Sequence, residues 1–206
     1  MAIERAPKNR GITDVGKITD DQTTYVAPVK TIPKSTVKTI TSDNSLDITS
    51  VVDSGVGYIT FKRQNGNKYK RSNGTLSWRQ NNPGNIKHGQ FASDNGSIGP
   101  GSGGHAVFPS LKIGRKAQET LLFSDVRGYN KLSIAKAIAK YAPADDKGYG
   151  VPKEGNQPNQ YAKFICKHTK VDSSTILSEL TADQRQLMLE AMQQYEGFKV
   201  GTEKQL

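Results

Sequence analysis

The hydrophobic and polar positions divide the chain into a β-like segment followed by four helix-like segments. Apolar and polar residues alternate over 58–63 and continue over 68–71, on either side of the dipeptide Asn65-Gly66, which predicts a β-hairpin. From Ser110 onward, apolar residues recur at intervals of three and four, the spacing of a helix with one buried face. The predicted helices cover residues 110–123, 133–141 and 181–196, with another that begins near Pro158.

Residues suited to helix ends support these boundaries. Ser110 can accept a hydrogen bond from the first helical turn, and Pro158 suits a first turn because its missing N–H is not needed there. Thr181 and Gln184 have the spacing of a capping box. Gly197 follows the last helical residues, and glycine at this position commonly ends a helix.

Between the hairpin and the first long helix, residues 74–110 show almost no helical pattern and contain the sequence Asn81-Asn82-Pro83-Gly84-Asn85-Ile86. Asparagine, proline and glycine favour left-handed and Asx-turn conformations, so a tightly turned loop or hairpin is predicted. The apolar run 105–109 is expected to form a strand that closes a hairpin near Ile86. Such loops often contain functional sites, but a hairpin without chemistry has the same composition.

Residues 1–54 have a different character. Polar residues dominate this segment, and Pro28 and Pro33 interrupt its one weakly alternating stretch. It is predicted to be an extended N-terminal arm or docking segment. Residues 55–206 are predicted to form one α+β domain, mainly α, in which a small β-hairpin part precedes the helices.

The positive charge of the chain is concentrated after the arm. The net charge is +10, yet residues 1–50 contain seven Lys and Arg against six Asp and Glu. Between Asp53 and Asp94 there is no acidic residue, whereas seven Lys and Arg occur there. This segment is expected to face a polyanion or an acidic surface, although a solvated basic face that aids solubility would have the same composition.

Composition also excludes several classes of protein. The single cysteine, Cys166, excludes an internal disulfide and a cysteine-based zinc site. Its place in an apolar helical pattern predicts a small core residue. No stretch approaches the roughly 20 apolar residues that cross a bilayer, and the N-terminus lacks the apolar run of a secretory signal. No cofactor is predicted.

Glu196 is the first candidate for chemistry. At helical spacing it follows Met192 by four residues and Met188 by eight, on the stripe that faces the core. Burial there would disfavour the charged carboxylate, and the helix C-terminus opposes negative charge as well. Both effects favour a protonated acid near neutral pH, as a general acid requires. A solvated glutamate in a frayed last turn is the alternative.

Two motifs resemble a lysozyme-like family of peptidoglycan-cleaving domains found in phage virion proteins and antibacterial effectors. They are Trp78-Arg79-Gln80-Asn81-Asn82-Pro83-Gly84-Asn85-Ile86 and Gly104-His105-Ala106-Val107-Phe108-Pro109-Ser110. The helix at 133–143 and the tripeptide Asn159-Gln160-Tyr161 belong to the same pattern. The resemblance covers about residues 78–197 and implies a lysozyme-like helical domain that cleaves glycan strands.

The order of these motifs along the chain differs from their order in the family. In many relatives a helix ending in Glu-Gly-aromatic immediately precedes the Asn-Asn-Pro-Gly-Asn segment and supplies the catalytic acid. Here the matching Tyr195-Glu196-Gly197-Phe198 lies near the C-terminus, and nothing similar precedes Trp78. A circular permutation, which domains with neighbouring termini tolerate, explains this order. It predicts that Glu196 folds back beside residues 81–85.

The resemblance implies that Glu196 protonates the glycosidic oxygen between N-acetylmuramic acid and N-acetylglucosamine, followed by hydrolysis or lytic transglycosylation. Asp94 is the candidate second carboxylate, with an Asx-turn as its alternative role. The expected substrate-binding residues, whose alternatives are turn or core roles, are Asn81, Asn82, Asn85, Gln90, Tyr141 and Tyr161. Some relatives work with one acid, so a second carboxylate is not essential.

Other functions remain open from sequence. A zinc enzyme would need the three histidines, His88, His105 and His168, to converge without any short-spaced metal motif. Nucleic-acid binding through segment 57–87 would use aromatic residues for stacking, namely Tyr58, Phe61, Tyr69 and Trp78, and is the less favoured partner. A non-catalytic component of a virion or secretion device, with a degenerate lysozyme fold, is the main alternative.

The expected partners are peptidoglycan glycan strands and, through residues 1–54, a phage tail, virion or secretion-system component. The expected location is a phage virion or a secreted protein that acts in the bacterial periplasm or cell wall. Because no secretory signal is predicted, delivery would depend on another route.

Overall fold

The computed structural model describes residues 47–146 and 155–206. Its main sheet has four strands, β1 (Ile48–Gly55), β2 (Tyr58–Arg63), β3 (Lys68–Ser72) and β6 (Thr202–Gln205). Neighbouring strands are antiparallel, and the order across the sheet is β1-β2-β3-β6. The last strand comes from the C-terminus, so the two ends of the described chain lie in one sheet.

The predicted hairpin is confirmed as β2 and β3. Gly66 has a φ of +80°, and its N–H donates to the carbonyl of Arg63 at 2.9 Å. The inner face of the sheet buries Ile59 and Phe61 completely. Alternation along the strands therefore positions one apolar face against the rest of the domain, as the sequence pattern indicates.

The predicted boundary between arm and domain was wrong. Residues 48–54 belong to β1, which pairs with β2 from Ile48 opposite Arg63 to Gly55 opposite Tyr58. Two irregularities in the register weaken the alternation of β1, so its sequence resembles an irregular segment. Residues 1–46, where most of the predicted arm falls, lie outside the described residues.

The region between β3 and the first long helix contains more regular structure than its sequence predicts. Two short helices, α1 (Leu76–Arg79) and α2 (Gln90–Asp94), flank the asparagine-rich turn. Strands β4 (Gly99–Pro100) and β5 (Ala106–Val107) pair with each other. The expected contact near Ile86 is present, because the N–H of Ala106 donates to the Ile86 carbonyl at 2.8 Å.

The four longer helices begin and end close to their predicted limits. They are α3 (Leu111–Phe123), α4 (Ile134–Tyr141), α5 (Pro158–Thr169) and α6 (Ala182–Tyr195). Ser110 and Thr181 accept hydrogen bonds from the first turns of α3 and α6, and Gln184 completes the capping box. Local side-chain chemistry therefore sets these helix starts.

The largest part of the core lies among α4, α5 and α6, where Ile138, Ile165, Met188 and Met192 are fully buried. Cys166 packs at the edge of this core, and burial raises the pKa of its thiol. The described chain is an α+β domain with more helix than strand, as predicted. None of its described helices is both long and apolar enough for a membrane span.

The turn and α3 meet at Gly114. A Cβ atom at this position would overlap with the backbone carbonyl oxygen of Asn81 and would come within 3.1 Å of the Pro83 ring. The asparagine-rich turn can therefore approach α3 only where the helix has no side chain.

We expect Gly114→Ala to lower the free energy of unfolding by about 2 kcal/mol, the usual scale of overpacking. Alanine is the better helix former by about 1 kcal/mol, so the backbone clash must exceed that gain. Urea unfolding followed by circular dichroism measures the change, with Lys116→Ala at an exposed position of α3 as the control. A Gly114→Ala protein as stable as the control would contradict the close approach.

Candidate active site

The turn at residues 81–85 is held by its own asparagines. Asn81 and Asn85 have φ values of +53° and +45°, in the left-handed region that asparagine tolerates better than most residues. The side-chain amide of Asn82 donates to the carbonyls of Ile86 and Ala106, both at 2.9 Å, and its oxygen accepts from the Ile86 N–H. These hydrogen bonds within the protein therefore hold the shape of the turn.

The structure does not support the predicted substrate-binding roles of Asn81 and Asn82. Asn82 is fully buried and Asn81 nearly so. The Asn81 amide donates to the carbonyls of Phe108 and Pro109, and its oxygen accepts from Arg71 at 2.8 Å. Both side chains are used within the fold, and neither is among the described residues that line the cleft beside Glu196.

Glu196 meets this turn at the end of α6. It is the C-cap residue of the helix, and the chain turns away at Gly197, whose φ is +66°. One carboxylate oxygen accepts from the Asn85 amide, and the other accepts from the Tyr161 hydroxyl at 2.8 Å. The predicted proximity of Glu196 to the turn is therefore confirmed.

Burial determines the acidity of Glu196. Its carboxyl lies beside the core formed by α5 and α6, and this burial raises its pKa from the ordinary value of 4.5 to about 7. The hydrogen bonds from Tyr161 and Asn85 act in the opposite direction, since they stabilise the charged form. At neutral pH the group is consequently divided between acid and carboxylate.

Tyr141 and Tyr161 line the cleft together with the carboxyl group of Glu196. The ring of Tyr161 stacks on that of Tyr195, with centroids 4.0 Å apart, and its hydroxyl contacts Glu196. The Tyr141 hydroxyl donates to the carbonyl of Gly84 in the turn. Burial, reinforced by the negative charge of Glu196, raises the pKa of both Tyr141 and Tyr161 well above the ordinary value. Both hydroxyls therefore remain protonated donors.

An open cleft of about 530 Å³ adjoins Glu196. One wall comes from the asparagine-rich turn and the start of α1, and the other comes from α5 and the ends of α4 and α6. Of the predicted site residues, the cleft brings together Glu196, Asn85, Tyr141 and Tyr161. Its size fits a small-molecule or sugar site.

Asp94 and Gln90 lie outside the cleft beside Glu196. Both belong to α2, where the Gln90 amide donates to the Asp94 carboxylate at 2.7 Å. Neither is among the described residues that line the cleft, so the structure does not support their predicted site roles. The Asx-turn alternative for Asp94 is also not observed, because the residue ends a short helix.

Several lining residues were not predicted as parts of a glycan site, among them Lys87, His105 and Asp146. Lys87 and His105 face each other in an isolated β-bridge. Burial and the charge of Lys87 lower the pKa of His105, although Asp146 opposes this change. His105 lies within the second of the two sequence motifs, residues 104–110, so the sequence contained a signal that this residue could belong to the site. Asp146 lies in an irregular loop that offers no periodic pattern.

The histidines do not converge. His105 lines the cleft, whereas His88 is exposed and His168 on α5 contacts the Phe164 carbonyl. Within residues 47–146 and 155–206, no group of three His, Cys, Asp or Glu side chains is arranged to hold a metal ion.

Comparisons with known proteins do not assign this site. A search against protein-family models and a search of curated proteins both found no match for the chain.

The raised pKa of Glu196 makes the stability of the protein depend on pH. Between pH 4.5 and 7 the folded protein holds a proton that the unfolded chain has released, so stability falls as pH rises. We expect Glu196→Gln to remove this loss. Relative to the wild type, its free energy of unfolding should rise by up to about 3 kcal/mol between pH 4 and pH 8.

Urea unfolding at several pH values measures this difference. The control is Glu190→Gln, an exposed position on the same helix. A similar pH-dependent gain in the control, or a constant difference for Glu196→Gln, would contradict the buried-acid assignment.

Proposed function

We propose that this domain cleaves the glycan strands of peptidoglycan, with Glu196 as the general acid. The single observation that supports this most strongly is the buried carboxyl group at the mouth of a cleft, with its pKa raised to about 7. Glycosidases of the lysozyme type rely on such a glutamic acid to protonate the leaving group. The enzyme would be a muramidase or a lytic transglycosylase.

The proposed reaction begins with protonated Glu196. Its proton passes to the glycosidic oxygen between N-acetylmuramic acid and N-acetylglucosamine as the C–O bond breaks. Water, or the 6-hydroxyl of the muramyl residue, then attacks the oxocarbenium carbon and gives its proton to the Glu196 carboxylate or to a second carboxylate in the cleft. The first route is hydrolysis and the second is lytic transglycosylation.

Asn85 and Tyr161 would act through Glu196 as positioning residues. Each donates a hydrogen bond to one of its carboxylate oxygens. As the acid loses its proton during bond cleavage, these two bonds strengthen and stabilise the charge that develops. Tyr141 supports the opposite side of the cleft by holding the turn at Gly84.

Asp146 takes the place of Asp94 as the candidate second carboxylate. It lines the same cleft as Glu196 and is close enough to His105 to influence the pKa of that histidine. A carboxylate in this position can accept the proton of an attacking water or stabilise the oxocarbenium carbon. Asp94 has no comparable access.

The proposed ancestry is a lysozyme-like domain with a circularly permuted order. The hydrogen bond between Asn85 and Glu196 places a Glu-Gly-aromatic helix end beside an Asn-Asn-Pro-Gly-Asn turn, which is the pairing that a permuted chain must restore. We further propose that the protein acts in the bacterial periplasm or cell wall, as part of a phage virion or as a secreted effector, and that residues 1–46 contribute to docking.

Glu196→Gln should abolish clearing of purified peptidoglycan in a zymogram, with a loss in rate of at least about 100-fold for removal of a general acid. Wild-type activity should decline above pH 7, because Glu196 then loses the proton that it must donate. The matched control, Glu190→Gln, should clear normally.

The outcomes separate the alternatives. Equal clearing by wild type and Glu196→Gln would refute Glu196 as the acid. Absence of clearing by both proteins would favour a structural component of a virion or secretion device. Masses of the soluble products distinguish hydrolysis from transglycosylation, since the latter leaves a 1,6-anhydro product that is lighter by one water.

Asp146→Asn and Asp94→Asn provide a matched pair, since each removes one negative charge without changing side-chain size. We expect Asp146→Asn to slow glycan cleavage by at least about tenfold, in the range of a supporting acid–base group. Asp94→Asn should retain wild-type activity. Turbidity clearance of cell-wall suspensions measures both rates, and equal rates for the two variants would remove Asp146 from the mechanism.

A further inference from the structure

The outward face of the main sheet is covered by lysines. Along β2, Ile59, Phe61 and Arg63 point inward and are buried, so Lys62 points outward. The register of the strands then places three more lysines on this outward face, namely Lys68, Lys70 and Lys204. Lys62, Lys68 and Lys204 are exposed, and Lys70 is half-buried.

Two pairs of these lysines face each other directly. Lys62 is the cross-strand partner of Lys68, and Lys70 is the partner of Lys204. Like charges in directly opposed positions destabilise a sheet. The only acid on this face of the described strands is Asp53, and its carboxylate accepts a hydrogen bond from Tyr58 at 2.8 Å. The repulsion is therefore not balanced within the sheet.

The arginines of β2 and β3 have a different role from the lysines of these strands. Arg63 and Arg71 are buried on the inner face and form ion pairs with Glu203, each at 2.7 Å. Arg71 also donates to the carbonyl of Trp78 at 2.9 Å. The basic segment thus uses its buried arginines to build the fold and leaves its lysines facing solvent.

The aromatic residues argue against single-stranded nucleic acid as the ligand. Phe61 is buried, and Tyr69 lies with it on the inner face. The ring of Trp78 lies against the Arg71 guanidinium, at 5.0 Å. Tyr58 faces outward, but the Lys70 ammonium covers its ring at 4.5 Å. The face therefore offers positive charge without the stacking surfaces that unpaired bases require.

We propose that this lysine face, formed by Lys62, Lys68, Lys70 and Lys204, binds a linear phosphodiester polymer of the bacterial envelope. Ammonium groups bind phosphate as point charges without requiring a fixed geometry, which suits a flexible polymer on an open sheet. The choice of an envelope phosphodiester rests on the proposed function, whereas the preference for a polyanion without bases rests on the face itself.

Binding to poly(glycerol phosphate) tests this proposal. This polymer contains neither bases nor a glycosidic bond that the domain could cleave. All measurements use the full chain with Glu196→Gln, so that binding is recorded independently of cleavage. The test variant adds Lys62→Gln and Lys68→Gln, which removes one facing pair. The matched control instead adds Lys163→Gln and Lys167→Gln, two exposed lysines four residues apart on α5.

The Lys62/Lys68 variant should bind at least about tenfold more weakly, and the slope of log affinity against log salt should decrease in magnitude by about two, one for each lost phosphate contact. The Lys163/Lys167 variant should change affinity by less than about twofold. The melting temperature of the Lys62/Lys68 variant should stay equal or rise, because one repulsive pair is gone. This measurement separates lost binding from lost folding.

Equal weakening in both variants would overturn the proposal, since net charge alone would then explain binding. Absence of binding would overturn it as well. Tighter binding to an oligothymidylate of equal charge, lost in the Lys62/Lys68 variant, would replace the proposed ligand with nucleic acid. The zymogram remains a separate test, because it can fail while polymer binding persists.

Discussion

The hydrogen bond between Asn85 and Glu196 joins two residues that are 111 positions apart, and the candidate site depends on it. The turn supplies one wall of the cleft, and the end of α6 supplies the carboxyl group. Because burial is the main cause of the raised pKa of Glu196, separation of the two walls would admit water and restore ordinary acidity. The contact between Asn85 and Glu196 therefore determines both the shape of the cleft and the acidity of Glu196.

Contacts from the main sheet also hold the turn that bonds to Glu196. Glu203 on β6 pairs with Arg71 on β3, and Arg71 in turn donates to the side chain of Asn81 in the turn. Burial raises the pKa of Glu203, but the hydrogen bonds from Arg71 and Arg63 outweigh it and lower the value overall. The segment after α6 is also tied down, because the Lys199 carbonyl accepts from the Thr75 N–H at 2.9 Å. The turn and the helix end are thus fixed by contacts of the same C-terminal segment, residues 199–205.

The sequence predicts those features that local chemistry determines. Ser110 and Thr181 identified helix starts because caps act within one turn, and the position of Glu196 relative to Met188 and Met192 indicated a buried face. Strand β6 could not be predicted, because all four of its residues are exposed and its pairing depends on distant arginines. Likewise, only the folded chain shows that Asn81 and Asn82 satisfy the turn while Asn85 faces the acid, since all three have the same side chain.

The two hydrogen bonds to Glu196 influence its pKa as well as its position. A carboxyl group buried at a helix C-terminus, without donors, would hold its proton more tightly than Glu196 does. Asn85 and Tyr161 favour the carboxylate and so offset part of the effect of burial. An acid of pKa about 7 can both hold a proton and give it up near neutrality, which is where general acid catalysis is most effective. The amide and the hydroxyl therefore bring the pKa of a buried carboxyl group closer to neutral pH, as the proposed role of Glu196 requires.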